Sequence, residues 1–347
     1  MRIHVAFSLK TVVVTGLITG LVACSSGGVA QGPDGGNGDD GPPPPPPSDG
    51  GIILTPDGGA LPAPERGFQI VSPMVEIDPG DEVTYCFYFK TKNTTELAIQ
   101  KWASRMTTGS HHMIVYLTPT DLQTPGTLST RDCGFGASTT SVWTYSAQTS
   151  DAEASMPADD GTGTPVGQLI KSGQSGFIQM HYLNASDNVL RAQVQLNAYA
   201  YAEDVRITPA APFVTYDTRI NLGPGSPAAP KPGMVSGSCT VSPNEKFYVL
   251  STHTHKQSVH TSVKDGTASV FDSVSWEHPG EETWNTAPFF SFTSGKLTYQ
   301  CDYMNPTNKV ITTGDSAVDN EMCMAIGYYF PAVGGKGHLC IDGNTLR

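Results

Sequence analysis

The chain has 347 residues, of which 38% are hydrophobic and only 15% charged, and its formal net charge is −12. That length allows two ordinary domains once the termini are set aside. The acidic balance, with no basic patch along the chain, excludes a nucleic-acid partner, because phosphate binding needs clustered Lys and Arg.

Arg2 and Lys10 give the N-terminus a positive start, and Thr11 to Leu21 is a short apolar stretch. It is too short to span a bilayer comfortably and reads as a targeting segment. Leu21-Val22-Ala23-Cys24-Ser25 closes it and is similar to a bacterial lipobox. That likeness implies a signal peptide over residues 1–23, lipidation of Cys24, and export to an outer membrane or cell surface. An acyl anchor would hold the folded part on the membrane without crossing it. Residues 24–64 are a Gly- and Pro-rich tether with the proline run Pro42 to Pro47. Such a composition cannot bury a core.

Order is expected from about Gly67. Val83-Thr84-Tyr85-Cys86-Phe87-Tyr88-Phe89 is a β-branched and aromatic run that predicts a strand. His112 to Leu117 and Gly176 to Tyr182 predict two more, and the alternation over Val189 to Tyr201 predicts one long strand. Thr95 to Met106 is the one stretch with helical character. A Pro-rich junction follows at Pro209 to Pro212, then further strands at Lys246 to Leu250, Ala268 to Ser275, Leu297 to Tyr303 and Met324 to Phe330. Short strands separated by Gly and Pro turns predict an all-β fold of two tandem antiparallel β-sandwiches. The expected domains cover residues 65–207 and 208–347.

Seven cysteines are present, and setting Cys24 aside leaves Cys86, Cys133, Cys239, Cys301, Cys323 and Cys340. An even number in an exported chain implies disulfides, and six cysteines admit about fifteen pairings. No Cys-x-x-Cys occurs, which argues against a thiolate zinc site.

The histidines carry more information. His253 and His255 end a strand-like run and, with a side-chain period of two, point to one side. His111 and His112 are adjacent and would face opposite ways in a regular strand; they can converge only where the strand twists or ends, as the preceding Gly109-Ser110 allows. Taken alone, His181 reads as a hydrogen-bonded strand residue and Met322 as core. His260, His278 and His338 read as surface residues.

Four motifs, in this order, change that reading: His111-His112-Met113, Gln179-Met180-His181-Tyr182, His253-Thr254-His255 and Glu321-Met322-Cys323. With them the chain resembles the copper type II, ascorbate-dependent monooxygenases, the family of peptidylglycine α-hydroxylating monooxygenase and dopamine β-monooxygenase. The resemblance spans roughly Gly67 to Cys340. It implies two jelly-roll-like domains with a solvent-filled cleft between them and one copper ion in each. His111, His112 and His181 would hold the electron-supplying copper. His253, His255 and Met322 would hold the copper where oxygen and substrate meet, and would be the catalytic set. The donor types agree with this, since imidazole suits copper in either oxidation state and a thioether favours Cu(I).

The resemblance further implies the disulfides Cys86–Cys133, Cys239–Cys340 and Cys301–Cys323. It implies ascorbate or another one-electron reductant, O2 and a small-molecule substrate, with the protein acting as a monomer. The peptide-amidating branch has an arginine, an asparagine and a tyrosine where this chain has Ser251, Met324 and Ile326. The missing carboxylate clamp implies a non-anionic substrate. The rival expectation is a non-enzymatic copper-binding lipoprotein for storage or delivery, with the same ligands and no turnover.

Overall fold

The computed structural model describes residues 59–131, 133 and 140–346. The expected signal peptide, the lipidation at Cys24 and most of the tether lie outside the described residues. Among the described residues the regular structure is all β, apart from one 3-10 turn at Val333–Gly335.

Residues up to Pro209 form a six-stranded, a five-stranded and a two-stranded sheet, and residues from Ala211 form a six-stranded, a four-stranded and a two-stranded sheet. Nearly all pairings are antiparallel, as expected for two β-sandwiches; the strands at Thr208–Pro209 and Ala211–Tyr216 each have one parallel neighbour. The five-stranded sheet runs Leu128–Ser129, Glu82–Lys90, Ser175–Leu183, Ser110–Thr118, Val142–Ala147. Its central strand, Ser175–Leu183, is buried at eight of nine positions. That explains its near-continuous apolar run, since both faces are covered. Gly176 has no alternative there: a Cβ would stand 2.5 Å from the Tyr116 carbonyl oxygen of the next strand.

In the later half, the strand Lys246–Thr254 pairs with Cys323–Phe330, which in turn pairs with Ala211–Tyr216. Three disulfides are formed, Cys86–Cys133, Cys239–Cys340 and Cys301–Cys323. They suggest an extracellular or periplasmic protein. Among the described residues no helix is long and apolar enough to cross a membrane.

One apolar core fills the earlier sheets, around Trp102, Met113, Met180 and Leu196, and takes in Tyr248 and Phe330 from the later half. A second lies within the later sheets, around Phe213, Phe247, Tyr299 and Tyr329. A third joins the halves. Ile114, Tyr116, Trp143 and Phe177 from the earlier part pack with Val214, Met322, Met324 and Ile326 from the later part. Truncating a side chain in such a core typically costs about 2–5 kcal/mol, so the seam is a stable platform for whatever lies on it.

Two expectations about elements fail. Thr95 to Met106 is not helical; Leu97–Met106 is a strand paired with Val194–Ala200 on one side and with Asp151–Ser155 and Val166–Ile170 on the other. Its Leu, Ala, Gln, Lys and Met favour helix locally. Burial of Ile99, Trp102 and Met106 against the facing sheet overrides that preference. The long strand over Val189 to Tyr201 is broken at Gln193 into Leu190–Ala192 and Val194–Ala200, which pair with different strands. Gln193 is held at the break by the Thr107 hydroxyl and by its own amide donating to the Ser72 carbonyl.

Candidate metal centre

The first ligand set is built by two neighbouring strands and an irregularity between them. His181 lies opposite His112 in the ladder, and Tyr182 lies opposite Ser110, so His111 is the unpaired extra residue of a β-bulge. A bulge re-aims the side chain of its extra residue. Here it brings two adjacent histidines to the same place, which a regular strand forbids. The turn feeding the bulge is closed by the Ser110 N–H donating to the Thr107 carbonyl, with Gly109 at φ +96°.

The result is a buried triad. His111, His112 and His181 each offer a ring nitrogen, all within 4.8 Å of one another, a group that could hold one metal ion. Nδ1 of His111 and Nδ1 of His112 are 2.9 Å apart. His181 Nε2 bonds the Glu82 carboxylate at 2.8 Å, which fixes the ring in the way carboxylates orient metal-ligating histidines. Glu82 also accepts from the Ser316 hydroxyl at 2.9 Å and the Ala317 N–H at 2.7 Å. Burial works to raise the Glu82 carboxyl, but the bonds from His181, Ser316 and Ala317 prevail and bring it down to about 2. It is therefore an anion at any ordinary pH.

The second group comes from the later sheets. His253 and Thr254 end the strand opposite Met324 and Cys323. Continuing that register sets His255 beside Met322. The His253 and His255 rings are 5.3 Å apart between centroids. His255 Nδ1 bonds the Asn320 carbonyl at 3.2 Å. Glu321 is 0% exposed, and its carboxylate accepts backbone N–H bonds from His255 at 2.9 Å, Gln257 at 2.6 Å and Met322 at 3.2 Å. One buried side chain thus ties together the two segments that carry His255 and Met322. Burial pushes its carboxyl up to about 7 against those donors. The Met322 carbonyl accepts from the Tyr303 hydroxyl at 2.9 Å, and the next residue, Cys323, is bridged to Cys301.

The two groups meet. The His112 and His253 rings are 5.2 Å apart between centroids, closer than the 5.3 Å between His253 and His255. The resemblance implies ligand sets facing each other across solvent. Here the rings are in contact, and His112, His181, His253 and His255 are each at most 6% exposed. A gap of only ≈ 10 Å³, about the room of one water, remains between His112, His181, His253 and Met322. Trp276, from the later half, stacks on His111 at 5.5 Å.

Electrostatics favour neutral, ligand-ready imidazoles. Burial, with the neighbouring His181 adding to it, lowers His111 to about 4. Burial, with the His111 and His181 rings, lowers His253 to about 3. His112 and His255 are pushed well below the ordinary histidine range, again chiefly by burial. Nε2 of His111, His253 and His255 is buried without a hydrogen-bond partner. A buried polar atom left unpaired costs roughly 1–3 kcal/mol, and the unpaired Nε2 atoms of His253 and His255, with Met322 beside them, fit a soft or borderline metal with nitrogen and sulfur donors.

The sequence reading missed Glu82, whose acidic residue at a strand start carries no local signal. Glu321 stands within the Glu321-Met322-Cys323 motif, and its role as a backbone clamp emerges only from the fold. His338, expected at the surface, is 6% exposed and paired with Glu245 at 3.1 Å, because its strand lies beside the buried Ala211–Tyr216 strand. His260 sits between Asp272 and Asp302, and His278 is exposed. Ser251 donates to the Gly280 carbonyl at 2.6 Å, while Met324 and Ile326 are in the apolar seam. Neither a scan of protein-family models nor a search of curated proteins finds a match for this chain.

Proposed function

We propose that the chain is a copper-dependent monooxygenase that hydroxylates a C–H bond of a small, non-anionic organic substrate, using O2 and ascorbate or another one-electron reductant. The reading takes the two sheet sets as two domains, residues 65–207 and 208–347. It assigns one copper to His111, His112 and His181, and the other to His253, His255 and Met322.

The observation that carries it is the meeting of an all-imidazole group with an imidazole–thioether group, their rings 5.2 Å apart at His112 and His253. Copper, when bound, supplies one-electron redox chemistry toward O2. The chain's own residues do the rest. Burial lowers His111, His112, His253 and His255, so the lone pairs of these four are available at ordinary pH. Glu82 orients His181 and raises its basicity as a donor. Glu321 and the Cys301–Cys323 bridge hold Met322 in place, which a weakly binding thioether requires. The seam around Ile114, Trp143 and Met324 keeps bulk water from the centre, protecting reactive species from side reactions.

The test is metal analysis of the purified protein, followed by reductant-coupled O2 uptake. Two coppers per chain are expected, and changing both His111 and His112 to Ala should remove one and leave the other. Met322→His should keep copper and lose most turnover. Loss of both coppers in the double histidine variant, or unchanged turnover in Met322→His, would refute the assignment. Two tightly held coppers with no O2 uptake under any reductant would instead favour a storage or delivery protein.

A further inference from the structure

A larger void lies against the histidine cluster. Its volume is ≈ 340 Å³, within the range of about 300–1,000 Å³ usual for small-molecule sites. Tyr116, Trp143 and Asp315 line both this chamber and the ≈ 10 Å³ gap among the histidines. The same three side chains therefore form the partition between them. Val214, Leu339 and Ile341 supply apolar wall. Val142 and Leu346, which are 39% and 49% exposed, also line the chamber and mark its solvent side.

Two hydroxyls on the wall are unpaired although their oxygens are buried, Tyr116 and Ser141. Tyr116 is only 2% exposed, so its unmet hydrogen bond is a standing cost that an occupant with an acceptor would remove. Burial, with Asp315 nearby, holds the Tyr116 phenol well above its ordinary range. It is therefore protonated and can donate. No Lys or Arg is among the described residues lining the chamber, and Asp315 adds negative charge to the partition. An anion would lose its hydration there, gain no Lys or Arg as a counter-ion, and face the Asp315 carboxylate.

The geometry points to this chamber as the substrate site, taking a neutral, largely apolar molecule whose oxygen acceptor is bonded by the Tyr116 hydroxyl. Because Tyr116 stands in the partition, the carbons beside that acceptor lie nearest the histidines. Calling the occupant a substrate rests on the monooxygenase reading; the binding itself does not.

Equilibrium dialysis of the metal-free protein with acetylnaphthalene, naphthalene and naphthoate tests it. Acetylnaphthalene should bind saturably at one site, at least about tenfold tighter than naphthoate. Tyr116→Phe should weaken acetylnaphthalene by about tenfold, the worth of one hydrogen bond, and leave naphthalene unchanged. Val142→Trp, at the exposed side where folding tolerates bulk, should weaken both neutral probes. Naphthoate binding as tightly as the ketone would overturn the proposal. So would equal weakening of both neutral probes by Tyr116→Phe, or no saturable binding by any probe. Copper uptake measured in parallel separates the two readings. Probe binding without copper uptake sinks the monooxygenase and leaves the chamber, and copper uptake without probe binding does the reverse.

Discussion

The two proposed ligand groups are supported in different ways. His111, His112 and His181 belong to one sheet, and their outer support is a side chain, the Glu82 carboxylate on His181. His253, His255 and Met322 come from a strand end, the residue just past it and the start of its neighbour. Their support runs through the main chain, by way of buried Glu321 and the Cys301–Cys323 bridge. A carboxylate on a ring tunes how well that ring binds; a clamp on buried backbone holds the fold itself. Damage to the support of the first group should therefore appear first in affinity, and damage to the second first in stability.

The largest test of that contrast is Glu321→Ala. It strands the backbone N–H groups of His255, Gln257 and Met322. At roughly 1–3 kcal/mol for each buried donor, urea unfolding should show a loss of about 3–9 kcal/mol. Copper at the second group should go while the first keeps its ion. A loss within about 0.5 kcal/mol, ordinary for a surface change, would break the comparison.

Acid probes both groups together. His111 and His253 sit at about 4 and about 3 when folded, against an ordinary 6.5, and His112 and His255 are lowered too. The unfolded chain binds these protons more readily. Stability is therefore full above pH 6.5 and is lost as pH falls toward the folded values. Glu321, raised to about 7, works the other way, its contribution being present below 4.5 and lost as pH rises through 7. Four histidines outweigh one glutamate. Metal-free protein should lose on the order of 3 kcal/mol between about pH 7.5 and about pH 5.5, read by chemical unfolding. Flat stability across that interval would show the rings to be hydrated.

Replacing Cys301 and Cys323 together by Ala opens a loop of sequence separation 22. The expected cost is about 3 kcal/mol, with weaker copper binding at the second group only. Glu82→Gln should have the smallest effect on folding, about 1–2 kcal/mol by unfolding midpoint, yet weaken copper at the first group by about 10- to 100-fold. A competition titration with a chelator reads the difference. An equal effect on both groups would show that Glu82 acts mainly through its bonds to Ser316 and Ala317.

Much of this was legible in the sequence. Val83 to Phe89 and the run before His253 carry β-branched and aromatic residues that specify strands, and their alternation states which side chains share a face. Leu97–Met106 was misread because its residues are good helix formers and its strand character comes from pairing on both sides. Glu82 was invisible because His181 is 99 residues away along the chain. The contact of His112 with His253 depends on how the two halves pack, which no local pattern encodes. Tyr116 looked like any core aromatic, since an unmet hydroxyl is a property of its surroundings.

The bulge at His111 makes the first ligand group depend on parity. Opposite Met180 to Tyr182 the partner strand runs from Met113 to Ser110, one residue more than a regular ladder needs. Deleting a single residue between Gly109 and His112 would restore even counting, and two neighbours in an even ladder must part to opposite faces. Every histidine could then remain in the chain while the triad ceased to exist. For this centre the spacing of the chain is as much a ligand as any ring, and an insertion or deletion here is a sharper lesion than many substitutions.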